Sequence, residues 1–285
     1  MAVVINTNVE SLKIQNCLTS ATNKLAQSME RMSTGLKVNS AKDDAAGTVI
    51  SARMKVQLDG NQICQKNVQN GNAMLATAEG NLDVVEDNLS RIRDLTLQAK
   101  NGTYSAEEKK AMQDEVAQRI AEIDRVSDSS KYSQLHLFED KTMQTEGITL
   151  QVGANSSDDN TIAADKSIFE SVKFSALTGI ADVKTFDIST MDADALADAI
   201  DNLDSALDNV TARKSTIGSV QNRLDSALAT LTTQYTNLSS AKSIITDADV
   251  AAEASNFTQQ SILQQVSTSL LAQANQAPGI ALSLV

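Results

Sequence analysis

Proline is almost absent from this chain: Pro278 is the only one among 285 residues. Without proline nothing removes a backbone N–H donor or clashes with the preceding turn, so long helices can run unbroken. Tryptophan is missing and aromatic residues make up 3% of the chain, against 41% hydrophobic residues overall. Large aromatic side chains fill thick cores, so their scarcity points to an elongated helical protein and away from a globular enzyme. Histidine occurs once, at His136, which leaves no spare parts for a histidine-based triad and excludes an HExxH zinc motif. The two cysteines, Cys17 and Cys64, lack CxxC spacing, and with one histidine they fall short of the four ligands of a zinc site. They read as free thiols on helices. No run of about 20 apolar residues could span a bilayer. The start, Met1-Ala2-Val3-Val4-Ile5-Asn6-Thr7, has no basic region followed by an apolar stretch, so it does not read as a secretory signal peptide. On these grounds alone the chain reads as cytosolic.

Positive charge is also in short supply. The formal net charge is −12, which repels nucleic acid phosphates and anionic membranes and argues against both partners. The charge is uneven. Residues 1–42 carry a net +3 and residues 246–285 a net −3. Ends of opposite sign could attract each other, although windows this short also arise by chance.

What the chain has in abundance is helical periodicity. From Leu75 to Ala99 the apolar residues fall at 75, 78, 82, 85, 89, 92, 95 and 99, mostly alternating three and four apart. That spacing keeps one stripe facing a partner helix. The rhythm returns at Leu196, Ile200, Leu203, Leu207 and Val210, and again at Ile217, Val220, Leu224, Leu228, Leu231, Tyr235 and Leu238. A shorter helix shows Met112, Val116, Ile120 and Ile123. These are coiled-coil seams that need one another to be buried. Asn101-Gly102 is a turn signal, and Ser105 three residues before Glu108 predicts a reciprocal cap at the next helix start. Thr246 and Asp249 form a similar pair before the last helix. Residues 139–190 differ: Ile148-Thr149-Leu150-Gln151-Val152 predicts a strand, with a hairpin return at Thr161-Ile162. Both chain ends predict amphipathic helices, one with Ile14, Leu18, Ala21, Leu25, Met29 and Met32. The other has Val250, Ala254, Phe257, Leu263, Val266 and Leu270. Neither stripe has a partner nearby in sequence, so the ends are expected to pair with each other and with neighbouring copies.

Several segments carry a resemblance that covers nearly the whole chain. Val4-Ile5-Asn6-Thr7-Asn8, the stretch from Glu30-Arg31-Met32-Ser33-Thr34-Gly35 to Asp43-Asp44-Ala45-Ala46-Gly47, and Leu89-Ser90-Arg91-Ile92-Arg93-Asp94-Leu95 resemble bacterial flagellins. So do Glu122-Ile123-Asp124-Arg125-Val126, Gln151-Val152-Gly153-Ala154-Asn155 and the ending Leu271-Ala272-Gln273-Ala274-Asn275-Gln276-Ala277-Pro278. The resemblance implies a mainly α fold: a long antiparallel coiled-coil helical rod with a small β-hairpin, plus an inner domain of paired N- and C-terminal helices. Residues 1–42 and 246–285 would form the terminal polymerisation domain and 43–245 the rod. The 139–190 stretch would replace the outer domains of larger flagellins. The resemblance further implies self-assembly into the extracellular flagellar filament for swimming motility. It replaces the cytosolic reading with export through the flagellar type III apparatus, and it brings an export chaperone, a filament cap and hook–filament junction proteins as partners. Recognition by Toll-like receptor 5 of animal hosts is implied at Arg91, Leu95 and Glu115, and polymerisation contacts are expected at Leu18, Leu25, Phe257 and Leu270.

No catalytic constellation competes with this reading, and no cofactor or metal is expected. Asp43-Asp44 adjoins a predicted helix and Asp158-Asp159 lies in a turn, so capping or solvated roles outweigh acid–base work. Asp158-Asp159-Asn160 lacks the spacing and closing Glu of a calcium loop. The sequons at Asn101 and Asn209 matter only where a eukaryotic glycosylation pathway exists. A hook–filament junction protein would share the ends and rod but match less completely over 89–126 and Gln273–Pro278. An intracellular helical enzyme or adaptor would need a cofactor or nucleophile constellation that is missing.

Overall fold

A computed structural model describes residues 7–180 and 186–282, the side chains of 277–282 excepted. The Val4-Ile5-Asn6 opening, the Ala277-Pro278 side chains and positions 181–185 of the 139–190 stretch fall outside the described residues. The fold is mainly α. Its helices are α1 (Val9–Thr34), α2 (Ala45–Lys100), α3 (Ala106–Ser129), α4 (Lys141–Glu146), α5 (Phe174–Thr178), α6 (Ala193–Thr246) and α7 (Val250–Leu282). Two small antiparallel hairpins pair β1 (Lys131–Tyr132) with β2 (Leu135–His136) and β3 (Ile148–Gln151) with β4 (Thr161–Ala164). The second is the predicted one, with Leu150 opposite Ile162. The first carries no alternating apolar signal and was not predicted.

Helix boundaries follow the local chemistry. Ser105 and Glu108 form the predicted capping box at the start of α3, each side chain meeting the other's backbone N–H. Asp44 caps α2 through the Gly47 N–H at 2.9 Å. Asp249 alone caps α7, accepting from Ala251 and Ala252, while Thr246 bonds back to Lys242 and to Asp247. A left-handed Gly35 ends α1.

The chain divides into two compact units, Asp59–Tyr235 and the paired segments Met1–Leu58 with Thr236–Val285. Within Asp59–Tyr235, every one of the eight predicted α2 seam positions from Leu75 to Ala99 is buried. Ladder contacts run in opposite order along α2 and α6: Asn72 meets Asp225, Glu79 meets Gln221, Glu86 meets Lys214 and Arg93 pairs with Asp204. The two helices are therefore antiparallel. Helix α3 lies antiparallel to α2 as well, with Arg91 bonded to Glu115 and Asn81 to Ser130. Val116, Ile120, Ile123 and Val126 of α3 join the same core. Each such leucine or isoleucine contributes ~1.5–3 kcal/mol by leaving water.

The 139–190 stretch and the residue before it hold the buried phenylalanines that the rest of the described chain lacks. Phe138, Phe169, Phe174 and Phe186 are fully buried, and the Phe174 and Phe186 rings meet edge to face at 5.3 Å. Helical side chains tie this segment down through its backbone. Gln113 donates to the Phe186 carbonyl at 2.8 Å and accepts from the Ile188 N–H at 2.9 Å, and Asp124 accepts from the Phe174 N–H. The β3–β4 hairpin rests on α2 where two glycines clear the way. A Cβ on Gly60 would come within 2.9 Å of Ala154, and one on Gly71 within 2.5 Å of Leu150.

The two α6 stripes predicted at 196–210 and 217–238 prove to be one seam. Positions 196, 199, 203, 206, 210, 213, 217, 220 and 224 are all buried, and the link between the stripes is Arg213. Its guanidinium donates to Asn209, to the Glu170 carbonyl at 2.7 Å and to the Glu170 carboxylate at 3.2 Å. Periodicity based on apolar residues broke at an arginine whose stem packs and whose three guanidinium nitrogens each donate a hydrogen bond. Beyond Leu231 the seam fades, and Tyr235 is exposed. Arg213→Ala is expected to lower stability by ~2–3 kcal/mol, through a lost packing stem and orphaned Glu170 groups. Arg213→Leu, which refills the seam, should lose less. Urea unfolding of both full-length variants checks this ordering, and equal losses would place the effect in the hydrogen bonds alone.

Candidate functional site

Two surfaces hold the residues singled out in the sequence. The first lies on α2 and α3. Arg91 on α2 donates from Nε and Nη2 to the two carboxylate oxygens of Glu115 on α3, at 2.9 and 3.2 Å. This fork-on-fork pairing is the strongest geometry open to a guanidinium and a carboxylate. Arg119, one turn along α3, adds a third bond to Glu115 at 3.1 Å and reaches the Asn88 amide oxygen at 3.1 Å. Both partners of the Arg91–Glu115 pair remain half-exposed. Leu95 is placed differently, 2% exposed within the core seam, so its side chain does not reach solvent. The structure thus joins Arg91 and Glu115 at the surface and buries Leu95 in the seam. Arg119 and Asn88 were missed, although an arginine four residues after Glu115 on one helix face is a readable signal.

The arginines shape the electrostatics. Arg91, then Arg119, hold the Glu115 carboxyl below the usual glutamate range, and Glu115 in turn raises the Arg91 guanidinium further. The carboxylate form is the bonded form, so this contribution is complete above the ordinary glutamate range and is lost as the pH falls through the lowered folded value.

The second surface lies on the paired terminal helices. Asn8 donates to the Ala274 carbonyl at 2.8 Å, Ser11 meets Asn275, Gln264 meets Thr22, and Arg31 approaches Glu253 at 3.8 Å. The order shows α1 and α7 antiparallel, with the opposite charges of the two ends brought together at Arg31 and Glu253. A backbone bridge closes the pair, with Lys37 N–H donating to Thr246 O and Ala248 N–H to Gly35 O.

The shielded positions on α1 are 11, 14, 18, 21, 25, 28, 31 and 32, three and four apart as far as Ser28 and then joined by the Arg31 that meets Glu253. Leu18 and Leu25 are among them, half-buried, but Met29 faces out and Ser28 takes the buried place. On α7 the shielded positions are 253, 254, 257, 260, 261, 264, 267, 271 and 274, so Phe257 lies on the seam amid Glu253, Gln260, Gln264 and Ser267. The apolar stripe of α7 lies elsewhere. Ile262, Leu263, Val266 and Leu270 all point away from α1, Leu270 with 45% of its surface exposed. Leu18, Leu25 and Phe257 therefore serve the intramolecular pair, and Leu270 belongs to an uncovered face. Among the described residues no three His, Cys, Asp or Glu side chains gather to hold a metal ion, and no helix is long and apolar enough to cross a membrane.

Comparison with known proteins places these surfaces in context. Residues 5–143 match the bacterial flagellin N-terminal helical region and residues 200–285 the bacterial flagellin C-terminal helical region. A flagellin of Halalkalibacterium halodurans is 36% identical, covering 99% of this chain and 100% of that one. A flagellin of Xenorhabdus nematophila is 37% identical with full coverage of both chains. The crystal structure of Bacillus cereus flagellin, 27% identical, covers 62% of this chain and 94% of that one with a TM-score of 0.47.

The pairing at Glu115 has a pH signature. Glu115→Gln keeps the shape but weakens the bonds, so its Tm is expected to fall slightly below the parent's at neutral pH. The gap should close as both are melted at progressively more acidic pH, where the parent's carboxylate is protonated too. A gap that persists unchanged into strong acid would show that the carboxylate charge contributes nothing.

Proposed function

The chain belongs to the bacterial flagellin family and is a structural subunit of the flagellar filament; on that premise we propose how its surfaces are used. Polymerisation is driven by the terminal helices. One observation carries this reading: the apolar stripe Ile262, Leu263, Val266 and Leu270 is left facing water beside a seam that is itself largely polar. Apolar residues at three- and four-residue spacing on an exposed helix face suit cover by another helix. Neighbouring copies supply that cover, and each newly buried leucine adds ~1.5–3 kcal/mol. Leu18, Leu25 and Phe257 keep α1 on α7, and Leu270 meets the next subunit.

On this reading residues 1–42 and 246–285 form the polymerising domain and 43–245 the other, with 139–190 standing where larger relatives insert outer domains. The subunit leaves the cell through the type III apparatus with its export chaperone. It then assembles below the filament cap and above the hook–filament junction proteins. The chain works as a building unit with no catalytic role.

Leu263→Asp combined with Leu270→Asp alters side chains that the monomer leaves exposed, so circular dichroism should be unchanged. Salt-induced assembly, followed by electron microscopy, should yield no long filaments. Filaments as long as the parent's would overturn the reading.

Toll-like receptor 5 recognition rests on the Arg91–Glu115 pair. An arginine in a rigid fork is a strong interface anchor, because little side-chain freedom is left to lose on binding. Leu95 acts from the seam by fixing the α2 backbone that presents Arg91. Arg91→Ala with Glu115→Ala should lower receptor activation by monomers in a reporter-cell titration while helix content stays intact. A titration that coincides with the parent's would remove these residues from the recognition surface.

A further inference from the structure

Two Asn-Gly sequences occur in the chain, Asn70-Gly71 and Asn101-Gly102, and the structure treats them oppositely. Asn70-Gly71 lies in the interior of α2. Its Gly71 N–H belongs to the helical hydrogen-bond ladder, and Gly71 itself is buried under Leu150 of the hairpin. Asn101-Gly102 lies in the turn between α2 and α3, where Asn101, Gly102 and Thr103 are all exposed. The Asn101 N–H is tied to the Gln98 carbonyl at 3.0 Å, whereas the Gly102 N–H has no acceptor among the described residues. No atom lies within 4 Å of the place where a Cβ on Gly102 would stand.

We propose that Asn101 is a site of spontaneous, age-dependent deamidation. The reaction needs the backbone nitrogen of the following residue to reach the side-chain amide carbon. Solvent base removes the Gly102 amide proton, and the nitrogen forms a bond to Asn101 Cγ. The Cγ–Nδ2 bond then breaks and ammonia leaves, closing a succinimide ring. Water opens the ring at one carbonyl or the other, giving aspartate or isoaspartate. Nothing is oxidised or reduced, and water is the only co-reactant. Glycine favours the first step because no side chain hinders the approach, and an unbonded N–H is free to lose its proton. A hydrogen-bonded helical N–H is not, and helical backbone geometry holds the nitrogen away from Cγ. Asn155-Ser156 at the hairpin tip is also exposed, but the serine side chain crowds the attacking nitrogen.

The product adds one negative charge just past the end of α2, where the last carbonyls already make the environment negative. Isoaspartate also lengthens the backbone of the turn by one carbon. The turn buries none of Asn101, Gly102 or Thr103, so the helices on either side can keep their seams. Occupancy therefore grows with the time since each subunit was made, without unfolding it.

The test uses the full chain, aged at body temperature and mildly alkaline pH, then digested at acidic pH for peptide mass spectrometry. A one-dalton gain should accumulate at Asn101 at least about a hundredfold faster than at Asn70, because reaction at Asn70 must wait for local opening of α2. Gly102→Ala fits the open space and replaces a glycine that is not left-handed, so it should fold as the parent does. It should slow the gain at Asn101 by about tenfold or more. The proposal is overturned by equal rates at Asn70 and Asn101, by a Gly102→Ala chain that ages as fast as the parent, or by Asn155 reacting first.

Discussion

A helical stripe with three- and four-residue spacing cannot be buried by its own helix, and this constraint organises the whole chain. In residues Asp59–Tyr235 it is met internally. The α2 stripe from Leu75 to Ala99, the α6 stripe from Leu196 to Leu231 and the α3 stripe from Val116 to Val126 close on one another in a single core. The side-chain ladder from Asn72–Asp225 to Arg93–Asp204 then fixes the antiparallel register. Individually such exposed pairs add little stability, but together they discriminate against a slipped alignment.

The terminal pair meets the same constraint only halfway. Its seam mixes Ile14, Leu18, Leu25, Phe257 and Leu271 with Ser11, Ser28, Gln260, Gln264 and Ser267. Small and polar seam residues bury little apolar area, so this pair is held less firmly than the α2–α3–α6 core. Its most apolar stripe faces outward. A subunit built this way keeps one part folded by its own residues and leaves an apolar stripe uncovered on the other, which suits a building unit of a filament.

The aromatic residues show how composition can mislead about distribution. Five phenylalanines in 285 residues argue against a thick core, yet four of them are fully buried between residues 138 and 186, two with their rings edge to face. They let the stretch between α3 and α6 fold as a packed cap, with Gln113, Asp124 and Arg213 bonding its backbone groups where no regular sheet does so. Buried backbone needs such partners wherever helix and sheet do not supply them.

Much of this was legible in the residues. The α2 seam, the Ser105–Glu108 cap, the β3–β4 hairpin and the break before α7 follow from spacing, turn chemistry and alternation, because these act over a few neighbouring residues. The α6 seam was interrupted on paper at Arg213, since a charged residue reads as solvent-facing until a carbonyl and a carboxylate are found beside its head. Sequence spacing could not rank Met29 against Ser28, nor tell whether Leu263, Val266 and Leu270 or Gln260, Gln264 and Ser267 of α7 would meet α1. Both α7 stripes have the same period, and hydrophobicity favoured the one that turns outward. Likewise Arg91 and Glu115, 24 residues apart, become partners only because α2 and α3 run back along each other. The sequence by itself determined that the long segments are helices, where α3 and α7 start and which stripes need cover. Which stripe covers which, and which stays open to another molecule, was decided by tertiary packing, because that choice depends on the faces of distant helices taken together.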